Sequence, residues 1–282
     1  EIQIRGFKVR LPLDIQFIFT SNPEDYTNRG TIVTPLKDRV GSQILTHYPE
    51  SIEIAKKITK QESKIDTKLI SKIHIPEVAR DIIEQISFEA RESDLVDRKS
   101  GVSARMSITS LQNLVSSAER RMIINKEEST SIRMSDFSSV ISSINGKVEL
   151  VYEGEEEGAE QVSYNLISSA VKSIFNKYFP RIEKLTKPDE ITPYDQILNW
   201  FSNKQLVIND NLKNKDYENL LDEVIDAKKL IKKYIPELND DDELFFVEFI
   251  LWGLESYNKL SILRTNNGIE YKDPFNNFIN KI

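Results

Sequence analysis

Hydrophobic and polar positions change their rhythm twice along this chain. In residues 1–12, Ile2 and Ile4 are apolar at even positions, and Val9 and Leu11 at odd ones. A period of two that switches parity across Arg5-Gly6 predicts a hairpin, with Gln3, Arg5, Lys8 and Arg10 mostly on the opposite face. Pro12 ends its second strand. Residues 15–20 then give a near-continuous apolar run, Ile15, Phe17, Ile18 and Phe19, which predicts a strand buried on both faces of an α/β sheet. Asn22-Pro23 closes it as a loop. Thr34-Pro35 starts a short helix that carries Arg39 and stops before Gly41. Residues 43–47 read as one more short strand, and Tyr48-Pro49 leads out of it.

From residue 51 the period becomes helical. Ile52, Ile54, Ala55 and Ile58 predict a helix to about Glu62, and Val78, Ile82, Ile83 and Ile86 mark a second that starts at Ile75-Pro76. Ile108, Leu111, Leu114, Val115, Ala118 and Met122 place a third over 107–123. Shorter helices are expected over 134–144 and 194–201. Longer ones are expected over 161–178, 217–234 and 244–263, the last with Phe245, Phe249 and Trp252 as a core stripe. Residues 148–152 read as a short β-like stretch, and the acidic run 152–161 as a solvated loop entering a helix. Residues 180–193, with three prolines, read as a linker. The expected class is mainly α with a small α/β part: 1–50 as α/β, 51–147 as a helical domain and 148–282 as a helical extension.

Composition narrows the chemistry. Of 282 residues, 39% are hydrophobic and 29% charged, which suits a soluble, helix-rich protein. No apolar run reaches the roughly 18 residues of a membrane helix. A net charge of -7 argues against a nucleic-acid surface for the chain as a whole. There is no cysteine, so thiolate sites are excluded, and with His47 and His74 as the two histidines a multi-histidine metal site is not expected. No signal peptide is visible, so the cytoplasm is expected. The chain opens on Glu1, inside a strand-like stretch, and reads as a piece whose N-terminal part is missing.

Three residues could carry chemistry. Asn22, at the polar tip of the apolar strand, lies where α/β sheets bind ligands; it could orient a water or touch a phosphate, or only make the turn before Pro23. Arg39, on its short helix, could supply charge to a neighbour's phosphate or sit in a surface ion pair with Asp38. Arg105 in GVSARMS stands at a helix N-terminus, where the dipole disfavours a cation. It reads as a partner for an anion, or as a solvated arginine at the cap.

Together these stretches resemble one family. FIFTSNPEDY looks like the sensor-1 strand of AAA+ ATPases, TPLKDRVG like the helix bearing their arginine finger, and GVSARMSITSLQNLVSSAERRMI like the sensor-2 helix of their lid. The hairpin EIQIRGFKVRLPL resembles the pre-sensor-1 insert of the magnesium-chelatase I-subunit and MoxR branch. The resemblance spans roughly residues 1–145. It departs in RVG, where an aromatic usually follows the arginine, and in SAR, where SPR is commoner. No GxxxxGK[ST] phosphate loop occurs; Gly146-Lys147 is followed by Val148. The resemblance implies a remnant of the AAA+ αβα core followed by a helical lid. It implies ATP and Mg2+ as cofactors of the complete protein, and no cofactor held tightly by this chain. It implies a ring, commonly hexameric. Asn22 would position the attacking water, Arg39 would reach the neighbouring subunit's site, and Arg105 would sense the γ-phosphate. The chain alone is expected not to hydrolyse ATP. The motor's target is open between a chaperone-like remodeller and metal insertion into a porphyrin, with the C-terminal helices as a client or subunit surface. A sigma-54-type activator is an alternative, although no GAFTGA-like loop or helix-turn-helix is evident. A non-enzymatic helical scaffold is the other.

Overall fold

The structure, a computed structural model, describes residues 2–9, 14–20, 38–182, 192–265 and 267–274. The chain divides into two compact units, 1–47 and 48–282. They are described separately.

In the first unit, β1 (Ile2–Ile4) and β2 (Phe7–Val9) form the expected antiparallel hairpin, with Ile4 opposite Phe7. Arg5 (φ 48) and Gly6 (φ 88) both turn through the left-handed region, which is what a two-residue hairpin turn requires. The predicted buried strand over 15–20 is a correction. Residues 15–20 make no strand, and Phe17, Ile18 and Phe19 are 72%, 84% and 65% exposed. The physical reason is the lack of a ladder: among the described residues of this unit, the hairpin is the only sheet, and a lone apolar strand has nothing to pair with. The rings of Phe17 and Phe19 stack on each other instead, centroids 6.1 Å apart. The strand expected over 43–47 is likewise absent, with Ile44 and Leu45 exposed.

The second unit is mainly helical. Its helices are α1 (Ile52–Glu62), α2 (Thr67–Ile70), α3 (Glu77–Glu92), α4 (Arg105–Asn125), α5 (Ile141–Asn145), α6 (Tyr152–Glu157), α7 (Ala159–Tyr178), α8 (Asp195–Phe201), α9 (Asn214–Asp222), α10 (Ala227–Tyr234) and α11 (Asp240–Ser256). A 3-10 segment, Met134–Val140, precedes α5. Helix α4 runs two residues beyond the predicted span at each end, because its apolar row continues through Met106. Helices α3 and α7 pack side by side, and one hydrophobic core runs from Ile73 to Tyr271. No described helix is long and apolar enough to cross a membrane.

Two predictions in the last third need correction. The single helix expected over 217–234 is two, because Asp226 takes a left-handed backbone (φ 66). The helix expected over 244–263 ends at Ser256, shortly before Asn258 turns left-handed (φ 57). Beyond it β6 (Ser261–Thr265) and β7 (Gly268–Lys272) form a hairpin, and β5 (Leu206–Asn209) pairs with the other edge of β7. The supposedly helical extension therefore contains a three-stranded antiparallel sheet in the order β5-β7-β6. Gly268 is required at the crossing of β5 and β7: a Cβ there would lie 2.1 Å from the Ile208 carbonyl oxygen. A shorter parallel pair joins β3 (Ile73–His74) to β4 (Thr130–Ser131).

Candidate functional site

The start of α4 is built from below. Val102 and Met106 are buried and anchor the turn, and the Val102 N–H donates to the Tyr48 hydroxyl at 2.9 Å. The Tyr48 ring lies under the Arg91 guanidinium, 4.1 Å from its centroid. One residue past Met106, the Ser107 hydroxyl meets that of Ser87 on α3 at 2.8 Å, and both are buried. The neighbouring Glu84 carboxyl, itself buried, takes hydrogen bonds from Thr59 and Ser107, yet desolvation outweighs them and raises its pKa. One side of the first turn is thus locked to α3.

The other side carries Arg105. It is the first residue of α4, is exposed, and has no ion-pair partner among the described residues. The helix has no acidic residue in its first turn, and its N-cap, Ala104, supplies no side-chain hydrogen bond. Ser103 serves the first N–H groups instead: its hydroxyl accepts from the Arg105 N–H at 3.3 Å and its carbonyl from the Met106 N–H at 2.9 Å. The helix end still carries partial positive charge, and a cation on top of it adds to that charge instead of offsetting it. Such an end can draw in a phosphate or carboxylate.

Arg39 is exposed and lies in a turn of the first unit. Asn22 and the helix start at Thr34-Pro35 lie outside the described residues. Arg39 and Arg105 fall in different units.

A second polar assembly escaped the reading of the sequence. Arg121 on α4 is 1% exposed and donates to Asp136 (2.5 Å) and to the Ser131 carbonyl (2.7 Å). Asp136 also accepts from the Arg133 N–H at 2.8 Å. The Arg133 side chain donates to the Leu212 carbonyl (2.9 Å) and to Asn214 Oδ1 (3.1 Å), and it lies 4.0 Å from the Tyr217 ring centroid. Burial, then repulsion from Arg121, pushes Arg133 down to about 10. Behind the Tyr217 ring, Glu248 is fully buried and accepts from the hydroxyls of Tyr217 (2.7 Å) and Tyr271 (2.8 Å). Trp252 donates to Tyr271 at 2.8 Å. Burial raises the Glu248 pKa against these hydrogen bonds. The signals were present. Arg121 falls on the face marked by Leu114 and Ala118, and Glu248 interrupts the apolar run 244–254. A charge on a buried helical face needs buried partners.

The chain matches no known protein family, curated protein or solved structure in comparison with each.

Proposed function

We propose that the chain is the C-terminal part of a cytoplasmic AAA+ ATPase of the magnesium-chelatase/MoxR-like branch. The observation that carries the reading is Arg105, exposed and without an ion-pair partner among the described residues, at the start of a 21-residue helix that has no acidic residue in its first turn. It follows in order the hairpin, the Asn22 tip and Arg39, as the family's motifs do. The residues at that helix end fit a phosphate of ATP, because an exposed guanidinium adds its charge to the positive end of the helix dipole. Bound ATP and Mg2+ would supply the transferable phosphoryl group and its counter-charge. In this reading Arg105 holds a phosphate oxygen from the lid. Arg39 adds positive charge at the site of an adjoining subunit, and Asn22 orients a water by hydrogen bonding. The assembly is a ring, hexameric in the usual case, that acts on a protein client.

The test is steady-state ATP hydrolysis by the full-length protein. Arg39→Ala and Arg105→Ala are each expected to lower kcat by about a hundredfold or more, the scale for removing one donor aimed at developing charge. The chain of 282 residues alone should show no turnover above a blank. Unchanged kcat in both variants, or turnover by the chain alone, would overturn the proposal.

A further inference from the structure

Near the C-terminal end of α4, about 24 Å from Arg105 at 1.5 Å per residue over the 16 residues to Arg121, the second unit opens into a cleft of about 430 Å³. Its volume falls within the range of small-molecule sites, roughly 300–1,000 Å³. One side is the β3/β4 pair with Lys72 and Arg133, and the other is the start of α11 with Asp241, Leu244 and Phe245. Tyr217 of α9 contributes its ring.

The charges in this cleft are arranged for a guest. Lys72 and Asp241 line the same space, and each lacks an ion-pair partner among the described residues, including each other. The adjacent acid is already engaged: Asp242 meets His74 at 2.6 Å. Arg133 also lines the cleft, but it is buried and its guanidinium is already engaged by Leu212, Asn214 and the Tyr217 ring, so Lys72 is the cation left for a guest. Asn214 is fixed in turn, since its amide donates to the Ser129 carbonyl at 2.9 Å and its oxygen accepts from Thr130 at 2.9 Å. An unpaired ammonium and an unpaired carboxylate lining one cleft complement a molecule that carries both signs of charge.

We propose that this cleft binds a small zwitterion bearing an ammonium and a carboxylate, that is, an amino acid or the main chain of a short peptide. Its carboxylate lies toward Lys72, its ammonium toward Asp241, and its body against Tyr217, Leu244 and Phe245. The inference is independent of the ATPase reading, because it uses none of Asn22, Arg39 or Arg105.

The experiment is an amide-detected NMR titration of the 15N-labelled chain with triglycine, N-acetyl-triglycine, triglycine amide and glycine. Triglycine should shift the amides of residues 70–74, 129–133 and 241–245 with one saturating curve. Blocking either end should weaken binding at least fivefold. Lys72→Ala should remove the penalty for amidation, and Asp241→Asn the penalty for acetylation; both residues are exposed, so the fold tolerates these changes. Glycine binding as well as triglycine assigns the site to free amino acids, and tighter triglycine binding assigns it to peptides. No saturable shifts at 50 mM triglycine, equal binding of the blocked forms, or equal effects from Lys57→Ala would overturn the proposal.

Discussion

Substituting Gly253 by alanine tests a close contact between α11 and α7. An added Cβ would stand 2.2 Å from the Phe175 ring, where van der Waals contact needs about 3.4 Å or more. The ring would have to retreat by more than an ångström. It cannot do so cheaply: Phe175 is fully buried, with the rings of Phe179, Phe249 and Tyr194 at 5.0, 5.8 and 6.0 Å. Alanine gains about 1 kcal/mol over glycine in a helix interior. Overpacking a filled core costs about 1–3 kcal/mol and sometimes more. With four rings to displace, the upper end applies, and the net loss is about 2 kcal/mol. At a urea slope of about 2 kcal/mol/M this moves the midpoint down by about 1 M at unchanged slope. The double variant Gly253→Ala/Phe175→Leu should recover part of that loss relative to the sum of the single variants, because leucine leaves room for the methyl. A midpoint for Gly253→Ala equal to or above the wild type would refute the reasoning and mean that α7 and α11 do not approach so closely.

Two further outcomes follow from the buried charges. Asp136→Ala leaves Arg121 buried without its carboxylate and should destabilise the fold by about 3–5 kcal/mol in urea unfolding; a loss under 1 kcal/mol would mean that solvent reaches Arg121. Glu84 has a raised pKa in the folded state, so the folded protein binds its proton more tightly than the unfolded chain does. Its contribution is therefore fully present below the unfolded value of 4.5 and is lost as pH rises through the folded value, so stability should fall over that window. Glu84→Gln stays neutral, and its stability relative to the wild type should rise across the same window and then level off; a pH-independent difference between the two would refute this.

Local signals served well where the helix period and caps agreed. The helix expected to about Glu62 is observed as Ile52–Glu62, with Ser51 capping it by accepting from the Ile54 N–H; of its apolar positions Ala55 is buried, while Ile54 and Ile58 are exposed. The hairpin at Arg5-Gly6 was legible because parity changes at a turn. The C-terminal sheet was legible too, in principle: Leu206 and Ile208 alternate with exposed Val207, and Asn267-Gly268 follows β6 as a hairpin signal. A run of apolar residues that continues a helix masked it. The breaks at Asp226 and Asn258 are tertiary choices, since neither residue forbids a helix. The strand over 15–20 misled for the opposite reason, because a pattern states what a segment can bury but not whether a partner sheet is at hand. The cleft was invisible, because Lys72 and Asp241 lie 169 positions apart by subtraction of their numbers and only the fold makes them neighbours.

The pairing of β7 with β5 also sets when this unit can fold during synthesis. Leu206 lies opposite Tyr271, and that same tyrosine hydrogen-bonds to Glu248 and Trp252. Before residue 271 emerges from the ribosome, β5 has no central strand to join, and the α11 carboxylate lacks one of its two tyrosine donors. The helices α3, α4 and α7 can collapse before β7 is made, while closure of the sheet waits until β7 has emerged. A nascent chain paused after α11 would hold a helical subassembly with an unpaired β5 edge, which makes that pause the interval in which chaperone capture matters most.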